Sequence, residues 1–190
     1  MLFVACSETD KMDEYHDWQS RNTGFIDSIA HATALDSERG VTVENAEVGD
    51  MFRILSYKLD SSQSGWDISD YVYCKVLRKG NGIGSPLYSD SIKINFRGAL
   101  IPTPEHPAGL VFQQTYKSDL PDDATCTPSG FILSELVCGM ITGIQQMKEG
   151  DVWRLYIPSE LGYHTKEKSI PLYSTLIFDV DLVRFTTPGD

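Results

Sequence analysis

The segment from Phe131 to Phe185 constrains the fold of this 190-residue chain more than any other part of it. It contains one short helical stretch, Met140–Lys148, with Gly150 placed to end the helix. Around that stretch, β-branched and aromatic residues predict three strands, at 131–133, 151–157 and 175–185. Strands gathered around a single short helix are typical of an α+β domain with an antiparallel sheet.

Three further strands are predicted upstream, at 71–77, 91–100 and 110–114. In the second of them, Ile92, Ile94 and Phe96 alternate with Lys93, Asn95 and Arg97. Such alternation predicts a sheet with one face on the core and the other face in water. Asp179 and Asp181 alternate with apolar residues in the last strand, so the same argument places them on the solvated face.

Composition excludes several classes of function. A net charge of -11 argues against nucleic-acid binding, because phosphate contacts need clustered Lys and Arg. The cysteines lack the CxxC spacing of zinc sites, so we expect neither a metal nor a cofactor; they are Cys6, Cys74, Cys126 and Cys138. No stretch approaches the roughly 20 apolar residues that a transmembrane helix requires.

Residues 1–65 form an acidic segment that we interpret as a largely helical N-terminal extension. From Ser7 to about Ala34 the pattern predicts one helix, or two helices broken near Asn22–Gly24. An aromatic stripe recurs along it at helical spacing, formed by Tyr15, Trp18, Phe25 or Ile26, and Ile29. Two interpretations of this aromatic stripe stay open. It packs against its own sheet, which makes the chain a monomer, or it forms the seam of a dimer. Residues 51–59 are expected to add a strand before a polar linker.

The first residues suggest a lipid anchor. Phe3-Val4-Ala5-Cys6 resembles the end of a bacterial lipoprotein signal, in which the thiol of Cys6 accepts the lipid. A complete signal needs a basic region and a longer apolar run than the five residues before Cys6. Either the natural start lies upstream or the match is chance. The first alternative places the protein in the bacterial cell envelope, in contact with a membrane only through this anchor.

Together the segments IKINFRGAL (92–100), LVFQQ (110–114) and 131–185 resemble the FKBP-type peptidyl-prolyl cis-trans isomerases. The resemblance implies a bent antiparallel sheet wrapped around one short helix, over residues 66–187, preceded by the helical extension. It also implies an aromatic-lined hollow that binds proline-containing polypeptides.

The family pattern assigns expected roles to particular positions. It places Phe112 in the pocket, the backbone N–H of Val137 against the bound peptide and the Tyr163 hydroxyl against a substrate carbonyl, and these three are the expected catalytic residues. The expected substrate-binding residues are Phe96, Gln113, Leu136, Met140, Ile170 and Phe178. Of these, Ile170 is expected in the loop that overhangs the hollow and Phe178 at its floor.

Three positions depart from the family pattern. Phe96 replaces a tyrosine, Gln113 replaces an acidic residue after the pocket phenylalanine, and Met140 replaces the tryptophan at the base of the pocket. Because methionine is smaller and more flexible, the hollow is expected to be deeper and less rigid. Loss of the indole wall is expected to forfeit about 1–3 kcal/mol of contact with a proline ring.

Rotation about an X-Pro bond must overcome a barrier of about 18–20 kcal/mol and breaks no bond of the chain. An isomerase therefore needs a dry, apolar cavity and a few donors, with no nucleophile and no metal. The sequence predicts an isomerase that assists the folding of exported proteins. Two alternatives stay open: a non-catalytic peptide-binding or chaperone module, and an interaction scaffold whose hollow is closed by its own side chains.

Overall fold

The computed structural model describes residues 14–121, 126–163, 165 and 170–189. The described residues form two helices, α1 (Trp18–Glu38) and α2 (Cys138–Ile144). They also form seven strands: β1 (Met51–Leu55), β2 (Tyr71–Arg78), β3 (Ser91–Ala99), β4 (Val111–Gln114), β5 (Ser129–Ile132), β6 (Val152–Ile157) and β7 (Leu176–Thr186). The α+β fold expected from the sequence is confirmed.

The seven strands form one antiparallel sheet in the order β1-β2-β6-β7-β3-β4. At its centre β3 pairs with β7 from Ser91 opposite Thr186 to Ala99 opposite Ile177. The other edge of β3 is shared, because β5 pairs with its first half and β4 with its second half. The register shifts within β3 on both edges, which bends the strand and sharpens its twist.

Helix α2 packs on one face of this sheet because two of its residues have no side chain. A Cβ atom on Gly143 would lie 2.8 Å from Leu155 Cδ1 of β6, and one on Gly139 would collide with Ile157. The two glycines are four positions apart and so lie on one side of the helix. The close approach lets the remaining apolar residues of this region fill the core, namely Met140, Ile141, Ile144 and Met147. The helix lies within Met140–Lys148 only in part, since it begins two residues earlier and ends at Ile144.

Helix α1 covers part of the opposite face of the sheet. The Phe25 ring contacts the ring of Tyr156, which alternates along β6 with the residues that contact α2. The buried side of the helix carries Trp18, Asn22, Ile26 and Thr33. Of the two alternatives, the described residues form one helix that passes Asn22–Gly24 and ends at Glu38. Gly40 follows with φ of 82°, in the left-handed conformation typical of helix ends. The stripe therefore packs against its own sheet.

The sheet begins upstream of residue 66, where the extension was expected to end. Strand β1 pairs with β2 from Met51 opposite Lys75 to Leu55 opposite Tyr71. Its Phe52 is buried with its ring centroid 5.0 Å from that of Trp153. β1 is thus part of the same core as the rest of the sheet.

The charged residues of β3 and β7 correct the expectation of a solvated face. Asp179 and Asp181 are buried, and so is Asn95. Asp179 Oδ2 lies 2.9 Å from Arg97 Nη2, and both Asp179 oxygens accept hydrogen bonds from Arg154. Asp181 accepts from Arg78 at 2.8 Å and from Asn95 at 3.0 Å. The segment 115–121 lies over this side, because Arg97 and Arg78 also donate to the carbonyls of Ser118 and Pro121.

Two further expectations concern the membrane and the N-terminus. None of the helices in the described ranges combines the length and the apolarity needed to span a bilayer. Cys6, the expected lipid acceptor, lies outside the described residues.

Candidate functional site

A cavity of about 90 Å³ opens between the centre of the sheet, β5 and the start of α2. Nine described residues line it: Ile94, Phe96, Gln113, Phe131, Leu136, Val137, Met140, Tyr163 and Phe178. A water molecule needs roughly 10–15 Å³ of such a cavity. The hollow therefore has room for a group of several heavy atoms, about the size of a pyrrolidine ring.

The walls are set by alternation along the two central strands. Phe96 of β3 pairs in register with Val180 of β7, and Phe178 pairs with Gly98. The rings of Phe96 and Phe178 lie 6.3 Å apart on the face that α2 covers. Met140, from the first turn of α2, closes the base. All three of these side chains are buried, so the floor of the hollow is apolar.

The structure brings together seven of the nine residues expected at the site. Phe96, Leu136, Val137, Met140 and Phe178 line the hollow together with Gln113 and Tyr163. Phe112 is close without lining it. Its ring meets that of Phe178 edge-on, 5.5 Å between centroids, across Gly98, where a Cβ would lie 2.6 Å from an atom of each ring. Phe112 thus supports the floor from outside.

Ile170 departs most from the expectation. Its side chain is only 6% exposed and belongs to the main hydrophobic core, and it is not among the described residues that line the cavity. Ile170 lies just before Pro171 and the segment that leads into β7. That segment is hydrogen-bonded to α1 through Ser174 and Thr175. Ile170 therefore acts as an anchor for that segment.

Two lining residues were missed by sequence reasoning. Ile94 shares a face of β3 with Phe96, so the two-residue period already indicated its direction. Phe131 also lines the hollow, and its ring lies 5.9 Å from that of Phe96. Its position depends on the pairing of β5 with β3, opposite Ile92, which no local pattern in the sequence signals.

Polar groups are few at the site and stand near its mouth. Tyr163 is half-buried against the core and brings the only hydroxyl among the nine lining residues. Gln113 is exposed and brings an amide. Val137 directly precedes α2, and its N–H donates to no other backbone carbonyl within the described ranges. The lining therefore offers up to three donors around an uncharged, apolar floor.

This arrangement favours binding and conformational chemistry. No charged side chain is among the described lining residues. Within the same described part of the chain, no group of three or more His, Cys, Asp or Glu side chains is placed to hold a metal ion. An apolar hollow of this kind removes water from a bound amide and leaves a few donors for its carbonyl groups.

Comparison with known proteins gives a family for this site. The sequence model of the FKBP-type peptidyl-prolyl cis-trans isomerases matches residues 85–183, which include every residue that lines the hollow.

Individual relatives agree with this match. The chain is 32% identical over 111 residues to the peptidyl-prolyl cis-trans isomerase Mip of Coxiella burnetii, covering 57% of this chain and 42% of the relative. It is 28% identical over 159 residues to the probable FKBP-type isomerase FkpA of Neisseria meningitidis, covering 83% and 52%. The outer membrane protein MIP of Legionella longbeachae is 28% identical over 111 residues, covering 57% and 42%. The chain thus spans about half the length of these relatives.

A solved structure is also similar. The chain superposes on the structure of the three FKBP domains of wheat FKBP73 with a TM-score of 0.50 and 27% identity. The superposition covers 64% of this chain and 48% of the wheat protein.

Proposed function

The chain belongs to the FKBP-type peptidyl-prolyl cis-trans isomerase family, and we propose on this basis that it accelerates rotation about X-Pro bonds in polypeptides. The observation that carries the proposal is the hollow itself. Aromatic and aliphatic side chains from β3, β5, β7 and α2 meet around a space sized for one proline ring.

Each part of the hollow has a role in this proposal. Phe96, Met140 and Phe178 hold the pyrrolidine ring and exclude water from the imide, which favours the twisted form because that form has lost its amide resonance. The Val137 N–H and the Tyr163 hydroxyl donate to carbonyls on either side of the proline. Phe112 acts through Phe178, and Gln113 contacts the chain that flanks the proline.

The test is a protease-coupled assay with a proline-containing peptide. We expect acceleration of the cis-trans step that rises in proportion to protein concentration. A peptide that binds without any acceleration at micromolar protein supports the non-catalytic peptide-binding module. Absence of both binding and acceleration, with a macrolide of the rapamycin type also failing to bind, supports the closed scaffold.

We further propose that the protein acts in the bacterial cell envelope on exported polypeptides and is anchored through Cys6. The sequence around Cys6 and the similarity to an outer membrane protein support this. Labelling of the full-length product with tritiated palmitate is expected, and a Cys6→Ala variant should lose it. Equal labelling of both proteins contradicts the anchor.

We propose that residues 66–187 with β1 form the isomerase domain and that the chain is a monomer. The support is that Trp18, Asn22 and Ile26 of α1 are buried against their own chain. Size-exclusion chromatography with light scattering should give the mass of one chain, and a mass of two chains supports the dimer seam instead.

A further inference from the structure

We propose that helix α1 positions the substrate hollow, through hydrogen bonds from Trp18 and Asn22 to the residues that lead into β7. The inference rests on the proposed isomerase function for its kinetic readout. Trp18 and Asn22 lie outside the family match at 85–183, and neither of them lines the hollow.

Helix α1 makes two buried hydrogen bonds with the segment 171–175. The Asn22 side-chain oxygen accepts a hydrogen bond of 2.7 Å from the Thr175 backbone N–H, and both residues are buried. The Trp18 indole N–H donates to the Ser174 hydroxyl at 2.9 Å. Ser174 in turn donates to the Pro171 carbonyl at 2.7 Å. The contacts join positions more than 150 residues apart in sequence.

The segment that α1 holds has a backbone that needs external support. Tyr173 has φ of 63°, in the left-handed region that an aromatic residue rarely adopts. Such a conformation persists only where neighbouring contacts over-determine it. Here the neighbouring contacts are those of Ser174 and Thr175 with α1. If they are removed, the segment is free to relax.

The 171–175 segment is connected to the hollow through Leu176 and Gly162. Thr175 is followed by Leu176, which is fully buried and pairs with Ile157. A Cβ on Gly162 would lie 3.0 Å from Leu176 Cδ1, so the backbone at Gly162 rests directly on this leucine. The next residue is Tyr163, which lines the hollow. Displacement of Leu176 therefore displaces the hydroxyl that is proposed to contact substrate.

A second tether fixes the beginning of the helix. The Glu14 carboxylate accepts hydrogen bonds from the Thr103 hydroxyl at 2.6 Å and lies 2.7 Å from His106 Nδ1. Arg21 of α1 donates to the Glu14 carbonyl at 2.8 Å. The helix is thus connected to both the 101–109 loop and the 171–175 segment, which fixes its position relative to the sheet.

The test is an Asn22→Leu variant, which keeps the size of the side chain and removes the acceptor for Thr175. We expect kcat/KM for a proline peptide to fall roughly fivefold. Phe25→Leu is the matched control, since Phe25 lies on the same helix and contacts Tyr156 rather than the 171–175 segment. It should lower the melting temperature while changing kcat/KM by less than about twofold.

A double-mutant cycle separates positioning from a general loss of stability. In a Tyr163→Phe background, the Asn22→Leu change should lose most of its effect, because the group that it positions is gone. The same fold-loss in both backgrounds, or no loss in the single variant, overturns the inference. If Asn22→Leu does not fold, Trp18→Phe takes its place, because it keeps an aromatic ring and removes the N–H donor to Ser174.

Amide hydrogen exchange makes the test independent of catalysis. Asn22→Leu should speed exchange at residues 161–163, and Phe25→Leu should not. An inactive wild-type protein contradicts the proposed function, whereas unchanged exchange at these residues in Asn22→Leu contradicts the positioning role.

Discussion

The two faces of the sheet are built from the same strands and differ completely in chemistry. On one face Phe96 and Phe178 form the apolar hollow under α2. One residue along on each strand, Arg97 and Asp179 form an ion pair on the opposite face. Both faces are buried. Helix α2 covers the apolar face, and α1 together with the segment 115–121 covers the charged face.

The comparison shows that alternation identifies two faces without telling which of them is covered. Charged side chains normally mark the solvated face of an antiparallel sheet. Here the carboxylates are removed from water, and each is compensated by at least one arginine. Such pairing is what makes burial of a charge tolerable. The Asp179 carboxylate accordingly raises the pKa of Arg154 beyond its usual range. Burial raises the pKa of Tyr116, which lies under Arg97, to about 12.

The largest expected effect is on the apolar face. Phe178→Ala should lower the free energy of unfolding by about 3–5 kcal/mol, because it opens a space between the rings of Phe96 and Phe112. Isomerase activity should fall with it. Chemical denaturation measures the first effect and the peptide assay the second. A loss of stability no larger than that of Tyr163→Phe contradicts the assignment of Phe178 to the core.

The charged face should respond less in stability and not at all in catalysis. Asp179→Asn leaves Arg97 and Arg154 without a counter-charge, but both arginines are partly exposed, at 23% and 35%. We expect a loss of about 2–3 kcal/mol, below the roughly 3–5 kcal/mol of fully buried pairs. Activity per folded molecule should be unchanged. A fall in kcat/KM comparable to that of Phe178→Ala contradicts the independence of the Asp179 ion pairs and the hollow.

Tyr163→Phe sharpens the comparison from within the hollow. The variant keeps the ring and removes one hydroxyl donor, which is worth about 0.5–1.5 kcal/mol in a typical hydrogen bond. We expect kcat/KM to fall roughly threefold to tenfold with little change in melting temperature. If activity is unaffected while stability falls, the hydroxyl has a structural role instead.

The smallest effect is expected at a carboxylate near the surface, which tests whether burial is what gives Asp179 its importance. Hydrogen bonds from Thr103 and then His106 hold the pKa of Glu14 below its ordinary value of 4.5. A lowered pKa in the folded state stabilises the protein above the unfolded pKa, and that stabilisation is lost as pH falls through the folded pKa. Glu14→Gln should therefore be slightly less stable than wild type at neutral pH.

The pH dependence of that difference is the measurement. Melting temperatures of the two proteins should converge as the pH falls from about 4.5 through the lowered pKa of Glu14 in the folded protein. A difference that persists unchanged into strong acid shows that the carboxylate charge is not responsible.

Much of the fold is encoded locally. The alternation of Ile92, Ile94 and Phe96, the single short helical stretch before Gly150 and the aromatic residues of the last strand were enough to indicate an antiparallel sheet around one helix. Most of the residues that line the hollow were indicated by the resemblance to the FKBP-type isomerases, whereas the strands and the helix were indicated by these local features. These features depend on side-chain period and backbone preference, which neighbouring residues determine, so they are readable without knowledge of the rest of the molecule.

Only the tertiary structure decided which surfaces are covered. Three features depend on contacts between residues that are far apart in sequence. They are the burial of Asp179 and Asp181, the position of Phe131 in the hollow and the hydrogen bond between Asn22 and Thr175. Burial is a property of what packs over a residue rather than of the residue itself. A charge becomes buried when distant arginines and a loop converge on it, and no local pattern records that convergence.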